Sequence, residues 1–162
     1  MKDLYSGEKQ KELEHLIDVL DLRKNPFHPL VYFNGPECAE IGENVFVGLF
    51  SEINAKGSKV IIKDGCDIAG FVSINVADSH KRCIGLAKDI ERGPITLEEC
   101  VFVGSHSFIG GHTHIGHHSV VAAGTILIKG GYIPPYSLIK GNPAKIYPGY
   151  YKDKTINTSH SK

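Results

Sequence analysis

Along most of this chain a large aliphatic residue returns at every sixth position. Leu97, Val103, Ile109, Ile115, Val121, Leu127, Ile133 and Ile139 keep that spacing without a break. Four places after most of them stands a short side chain: Val101, Ser107, Thr113, Ser119, Thr125 and Ser137. The residue directly following is often Gly or Ala, as at Gly104, Gly110, Gly116 and Ala122. Leu, Ile and Val make up about a quarter of the chain, so eight in register arise by chance with odds on the order of 10⁻⁵ per phase. Two shorter blocks upstream, Ile41, Val47, Ile53 and then Ile62, Ile68, Ile74, share the period.

A period of six excludes a simple α-helix and does not require a flat hairpin sheet. It predicts short extended pieces that turn a corner every six residues, with the aliphatic pointing inward and the short residue beside it. Stacked rungs then pair as parallel strands about 4.8 Å apart and bury a continuous aliphatic column, an all-β parallel β-helix. An ordinary β-sandwich is the alternative. Ahead of the repeat, residues 8–22 read as a helix, because Leu13, Leu16, Ile17 and Leu20 fall at i, i+3, i+4 and i+7. Pro26 and Pro29 end that pattern. The chain thus divides into an N-terminal helical segment (1–33), the β-helix (34–148) and a polar tail (149–162), which is expected to be loose from Tyr151 onward.

The repeat resembles a known family, the hexapeptide-repeat acyltransferases with a left-handed β-helix. The resemblance runs from about Asn34 to Pro148. It is carried by Gly93-Pro94-Ile95-Thr96, Val103-Gly104-Ser105, Ala123-Gly124-Thr125, Pro134-Pro135-Tyr136-Ser137 and Gly141-Asn142-Pro143-Ala144-Lys145. The last stretch is similar to the sugar O-acetyltransferase branch, which includes galactoside and maltose acetyltransferases. The resemblance implies the left hand of the coil, acetyl-coenzyme A as acyl donor, a sugar or nucleotide-sugar acceptor in surface polysaccharide or glycan biosynthesis, and a homotrimer. Two departures bear on cofactor grip: Gly130-Gly131 follow Lys129, and Lys140 precedes Gly141-Asn142-Pro143.

The six-residue frame disappears from Ala77 to Gly93 and then resumes, which predicts a loop leaving the coil (77–94). Loops on a rigid scaffold are where sites are usually built. Among its residues, His80 is the candidate general base: an imidazole can take a proton from a sugar hydroxyl and pass it to the departing thiolate. The resemblance implies the same role for a His in this loop. Cys83 is a weaker candidate as nucleophile, because nothing in the sequence activates it. By resemblance, the Ser105 backbone N–H faces the thioester, Gly104, Ala123 and Gly124 lie against the cofactor, and Lys129 and Lys145 meet its phosphates. Asn75 and Asp78 lead into the loop and are candidates to bind the acceptor.

Composition narrows the classes. Eighteen Lys and Arg balance eighteen Asp and Glu, so the chain is not one whose main work is gripping nucleic acid or an anionic membrane. No apolar run approaches the roughly 18 residues of a membrane span. The N-terminus lacks the apolar middle of a secretory signal. Cys38, Cys66, Cys83 and Cys100 form no CxxC pair, so a cytoplasmic, reducing setting is expected. Cys66 and Cys100 read as small half-buried thiols. Five histidines crowd into His106, His112, His114, His117 and His118. A zinc site of the carbonic anhydrase kind is one reading. However, six-residue spacing puts His106, His112 and His118 on three different faces, so no metal is expected. An N-acetyltransferase acting on an amino sugar nucleotide and a non-catalytic β-helix module remain as alternatives.

Overall fold

In the computed structural model, residues 7–19, 27–28 and 30–154 are described. Three parallel sheets form the sides of a prism. One side stacks Tyr32–Asn34, Glu52–Asn54, Ser73–Asn75, Phe108–Gly110 and Ile126–Leu127. The second stacks Ala39–Ile41, Val60–Ile62, Ile95–Leu97, Thr113–Ile115 and Gly131–Ile133. The third stacks Phe46–Val47, Asp67–Ile68, Phe102–Val103, Val120–Val121 and Leu138–Lys140. The chain visits the sides in turn, so this is the parallel β-helix that the period of six predicts.

Register fixes the coil length. In the lower coils, partners stand 18 residues apart, Ile95 with Thr113 and Phe102 with Val120. Between the first two coils the separation is 21, Ala39 with Val60. Across the excursion it is 35, Val60 with Ile95, or 17 more than a plain coil. That surplus matches the length of the break from Ala77 to Gly93.

All eight residues of the unbroken series are buried, as are Val47, Ile53, Ile62, Ile68 and Ile74. A fully buried aliphatic side chain contributes roughly 1.5–3 kcal/mol, so the column is the main source of stability. The short residues beside it carry hydroxyls that are also buried, and these hydroxyls bond to the corners. Thr125 Oγ1 donates to Ala122 O at 2.6 Å, and Ser137 Oγ donates to Pro134 O at 2.6 Å. The N–H of Ser137 donates to Ser119 Oγ at 3.0 Å. Each rung therefore supplies polar partners to the next, as buried hydroxyls require.

The corners explain the histidine spacing. Cys100, His106, His112, His118, Gly124 and Tyr136 all have left-handed backbone, with φ between 56° and 71°. That region disfavours most side chains, but His and Asn enter it more readily than bulky residues. His106, His112 and His118 recur by six because each turns a corner. His106 stacks on Phe71 (5.0 Å between ring centroids), and Phe71 sits 5.2 Å from Phe50. His118 packs at 5.2 Å on Tyr136. These are different corners of the prism.

The helix ahead of the repeat spans Glu8–Val19. The expected continuation to residue 22, including Leu20, and the stops at Pro26 and Pro29 lie outside the described residues. After Leu138–Lys140 the chain reverses, and Lys145–Tyr147 pairs antiparallel with it, covering the edge of the last rung. The stretch expected to be loose begins docked: the Tyr151 N–H donates to Tyr136 O at 2.9 Å, and the Lys154 ammonium lies 3.5 Å from the Tyr150 ring centroid. The two thiols differ from the expectation. Cys66 is fully buried, donates to Glu98 O, and is pushed up to about 11 by that burial. Cys100 is exposed, because its corner backbone turns the side chain outward.

Candidate active site

The excursion is rooted by a two-residue antiparallel ladder, Ala77–Asp78 on Glu91–Arg92, and carries one short helix, His80–Cys83. Beneath it opens a cleft of about 580 Å³. The loop contributes Asp78, His80, Cys83 and Glu91 to the walls. The coil contributes Asn75, Phe108, His112, Ile128 and Lys129.

His80 is held from one side. Its Nδ1 lies 2.5 Å from Asp78 Oδ1, and its backbone N–H donates to the same oxygen at 3.1 Å. A carboxylate facing Nδ1 favours the proton on that nitrogen and leaves the Nε2 lone pair free. The hydrogen bond from the His80 ring holds the Asp78 carboxyl below its usual range. The His80 side chain is 57% exposed, so a substrate can reach it without any rearrangement of the core.

Glu91 braces the loop. Its Oε1 takes the Lys129 ammonium at 2.6 Å and its Oε2 takes the Lys81 ammonium at 3.0 Å. These bonds, with the one from Lys129 the stronger, pull the Glu91 carboxyl down to about 2. Lys81 neighbours His80 and Lys129 belongs to the coil below, so this pair of contacts ties the helix bearing His80 to the prism. His112 Nε2 stands 3.9 Å from the same carboxylate. The depressed value keeps the brace ionised at any pH above about 4.

The remaining residues singled out in the sequence lie elsewhere. Gly104, Ser105, Ala123 and Gly124 share the corner at the other edge of the Phe108 side. Gly104 is required there, since a Cβ would come within 2.5 Å of Ala123 N. Among the described residues, the Ser105 N–H has no hydrogen-bond partner, while its carbonyl accepts from Gly124 N at 2.8 Å. Lys145 lines a shallow groove with Lys140, Asn142 and Tyr147 at the last rung. One chain therefore gathers Asn75, Asp78, His80 and Lys129 but keeps them apart from Ser105 and Lys145. Lys129 stands in the His80 cleft, ion-paired to Glu91.

Glu91, Phe108 and Ile128 as cleft walls were not singled out from the sequence. The signal was available. Coils of 18 residues put position 111 beside Gly93 and position 129 below it, with His112 and Ile128 as their direct neighbours. Among the described residues, no three His, Cys, Asp or Glu side chains converge on a metal-sized site. Nor is any helix among them long and apolar enough to cross a membrane.

No protein-family model matches the chain, and no curated protein sequence matches it. Solved structures do. A galactoside acetyltransferase in complex with coenzyme A superimposes with a TM-score of 0.67 at 25% identity, over 99% of this chain and 81% of that one. A hexapeptide-repeat acetyltransferase from Vibrio cholerae gives 0.68 at 20% identity, over 88% of this chain and 93% of that one. An N-acyltransferase from Bacillus cereus, solved with dTDP and 3-hydroxybutyryl-CoA, shares the fold at 0.62 and 15% identity, over 91% of this chain and 90% of that one. The resemblance read in the repeat thus holds in three dimensions: this chain shares the fold of hexapeptide-repeat acetyltransferases of known structure.

Proposed function

We propose that the chain transfers an acetyl group from acetyl-coenzyme A to a sugar hydroxyl, in surface polysaccharide or glycan biosynthesis, with His80 as general base. One observation carries the reading: an imidazole oriented by a carboxylate, with its second nitrogen free, on the wall of a cleft large enough for a sugar and a thioester end. The His80 Nε2 takes the hydroxyl proton as the acceptor oxygen attacks the thioester carbon. The tetrahedral intermediate collapses with cleavage of the C–S bond, and the imidazolium returns the proton to the leaving thiolate. An acetyl ester and the free thiol of coenzyme A result. The thioester is already activated, so no covalent enzyme intermediate is needed.

The Ser105 backbone N–H is the candidate oxyanion donor. Ser105, Gly104, Ala123 and Gly124 sit at a different corner from His80, so in this reading they serve the cleft of a neighbouring chain in a homotrimer. Exposed Phe50 and Phe71 at that same corner supply apolar surface for such packing. Lys129 and Lys145 are the candidate partners of the coenzyme A phosphates. Asp78 is engaged with His80, which leaves Asn75 as the polar group for the acceptor. Transfer to an amine is the second reading, favoured by the similarity to the Bacillus cereus N-acyltransferase.

The test is release of free thiol from acetyl-coenzyme A with matched hydroxy and amino sugars. Thiol release with methyl β-D-galactopyranoside or maltose is expected. Release with amino sugar nucleotides alone would replace O-transfer by N-transfer, and no release with any sugar removes the proposed reaction.

A further inference from the structure

Three asparagines stack on successive rungs of the side that ends at the cleft. Asn34 Nδ2 donates to Asn54 Oδ1 at 3.2 Å, and Asn54 Nδ2 donates to Asn75 Oδ1 at 3.1 Å. Two backbone amides fix the direction of this ladder. The Lys56 N–H donates to Asn54 Oδ1 at 3.2 Å, and the Ala77 N–H donates to Asn75 Oδ1 at 2.9 Å. A backbone N–H can only donate, so the side-chain atom facing it must be oxygen. Neither amide can therefore be flipped without losing two hydrogen bonds.

The ladder stops at Asn75. The next rung places Gly110 in register with it, and Gly110 has no side chain to accept. One rung further, the same position is Ile128, which is apolar. Asn75, Gly110 and Ile128 all line the cleft that holds His80. The Asn75 oxygen already accepts two hydrogen bonds. Among the described residues its Nδ2 has no partner, although it carries two N–H groups.

We infer that Asn75 is a specificity-determining residue: a fixed, donor-only group that recognises an oxygen of the acceptor, held in place by Asn54 and Asn34 above it. An ammonium at that point meets two N–H dipoles of the wrong sign and has nothing to donate to. A hydroxyl, ring ether or carboxylate oxygen can accept from both. The inference rests on the proposed acetyl transfer for its substrate. It is separable because binding at Asn75 can be read without turnover.

The experiment is an NMR titration of the side-chain amides, with the Asn75 NH₂ pair assigned by its loss in Asn75→Asp. Methyl β-D-galactopyranoside and maltose are added at millimolar concentration, with tris(hydroxymethyl)methyl-free buffer and ammonium chloride as the cation control. The Asn75 pair is expected to shift with at least one glycoside and not with ammonium. Kinetically, Asn75→Asp is expected to raise KM for the hydroxy sugar about three- to tenfold, the range of one hydrogen bond, with a smaller change in kcat. Asn54→Ala, which leaves the Asn75 amide held by the Ala77 N–H alone, is expected to raise KM in the same direction. An Asn75 pair that stays still with every glycoside overturns the inference, whether or not thiol is released. A shift without thiol release leaves the subsite standing and removes the reaction instead. An unchanged KM in Asn75→Asp with normal turnover also overturns it.

Discussion

Replacing His80 with alanine is expected to lower kcat for acetyl transfer by about 10²- to 10⁴-fold, the range associated with a positioned general base. The side chain stands on the loop, and among the described residues its only hydrogen-bond partner is Asp78 on the same loop. Thermal unfolding of the variant should therefore match that of the parent. Thiol release from acetyl-coenzyme A at saturating sugar measures the first quantity, and a thermal melt measures the second. Asp78→Asn serves as the companion variant. It keeps the shape but removes the charge that favours Nδ1–H, so it should lose less activity than His80→Ala and change the pH profile of kcat. Near-parental turnover in His80→Ala would remove this residue from the chemistry, and the cleft would need another base.

The second large effect concerns the column rather than the cleft. Ile115 is 0% exposed and lies in register between Leu97 and Ile133. Ile115→Ala leaves a void that its close-packed neighbours in a β-helix cannot readily fill. The expected loss is about 2–5 kcal/mol. For a chain of this size, each kcal/mol moves Tm by about 2–4 °C, so a fall of about 4–20 °C is expected. Leu86→Ala is the control, because Leu86 is 74% exposed on the loop and should move stability by less than about 0.5 kcal/mol. Equal falls in the two variants would mean that the aliphatic series does not form the spine.

The sequence disclosed the fold because the fold is periodic. Every rung repeats one physical task, burying an aliphatic and turning a corner, so Leu97 to Ile139 announce the architecture by spacing alone. The loop was legible for the opposite reason: the frame fails from Ala77 to Gly93 and resumes at Leu97. His80 could be singled out by residue type and place. Its orienting partner could not, since an Asp two residues upstream reads equally well as turn chemistry or as a sugar ligand. The pairing of Glu91 with Lys129 was hidden because it joins positions 38 residues apart across the excursion. The asparagine ladder was missed for a similar reason. Asn34, Asn54 and Asn75 stand 20 and 21 residues apart, in coils longer than the regular 18. The reversal at Lys145–Tyr147 breaks the repeat with no aliphatic marker of its own.

A crystal of the protein soaked with coenzyme A offers the most direct test of the chemistry assigned to the loop. With acyl transfer at His80, the coenzyme A sulfur should lie in the cleft between the loop and Phe108, within reach of the His80 Nε2. Its nucleotide end should run toward lysine side chains. Coenzyme A ordered with its sulfur in another groove, or no coenzyme A bound at millimolar concentration, would contradict the assignment of this cleft.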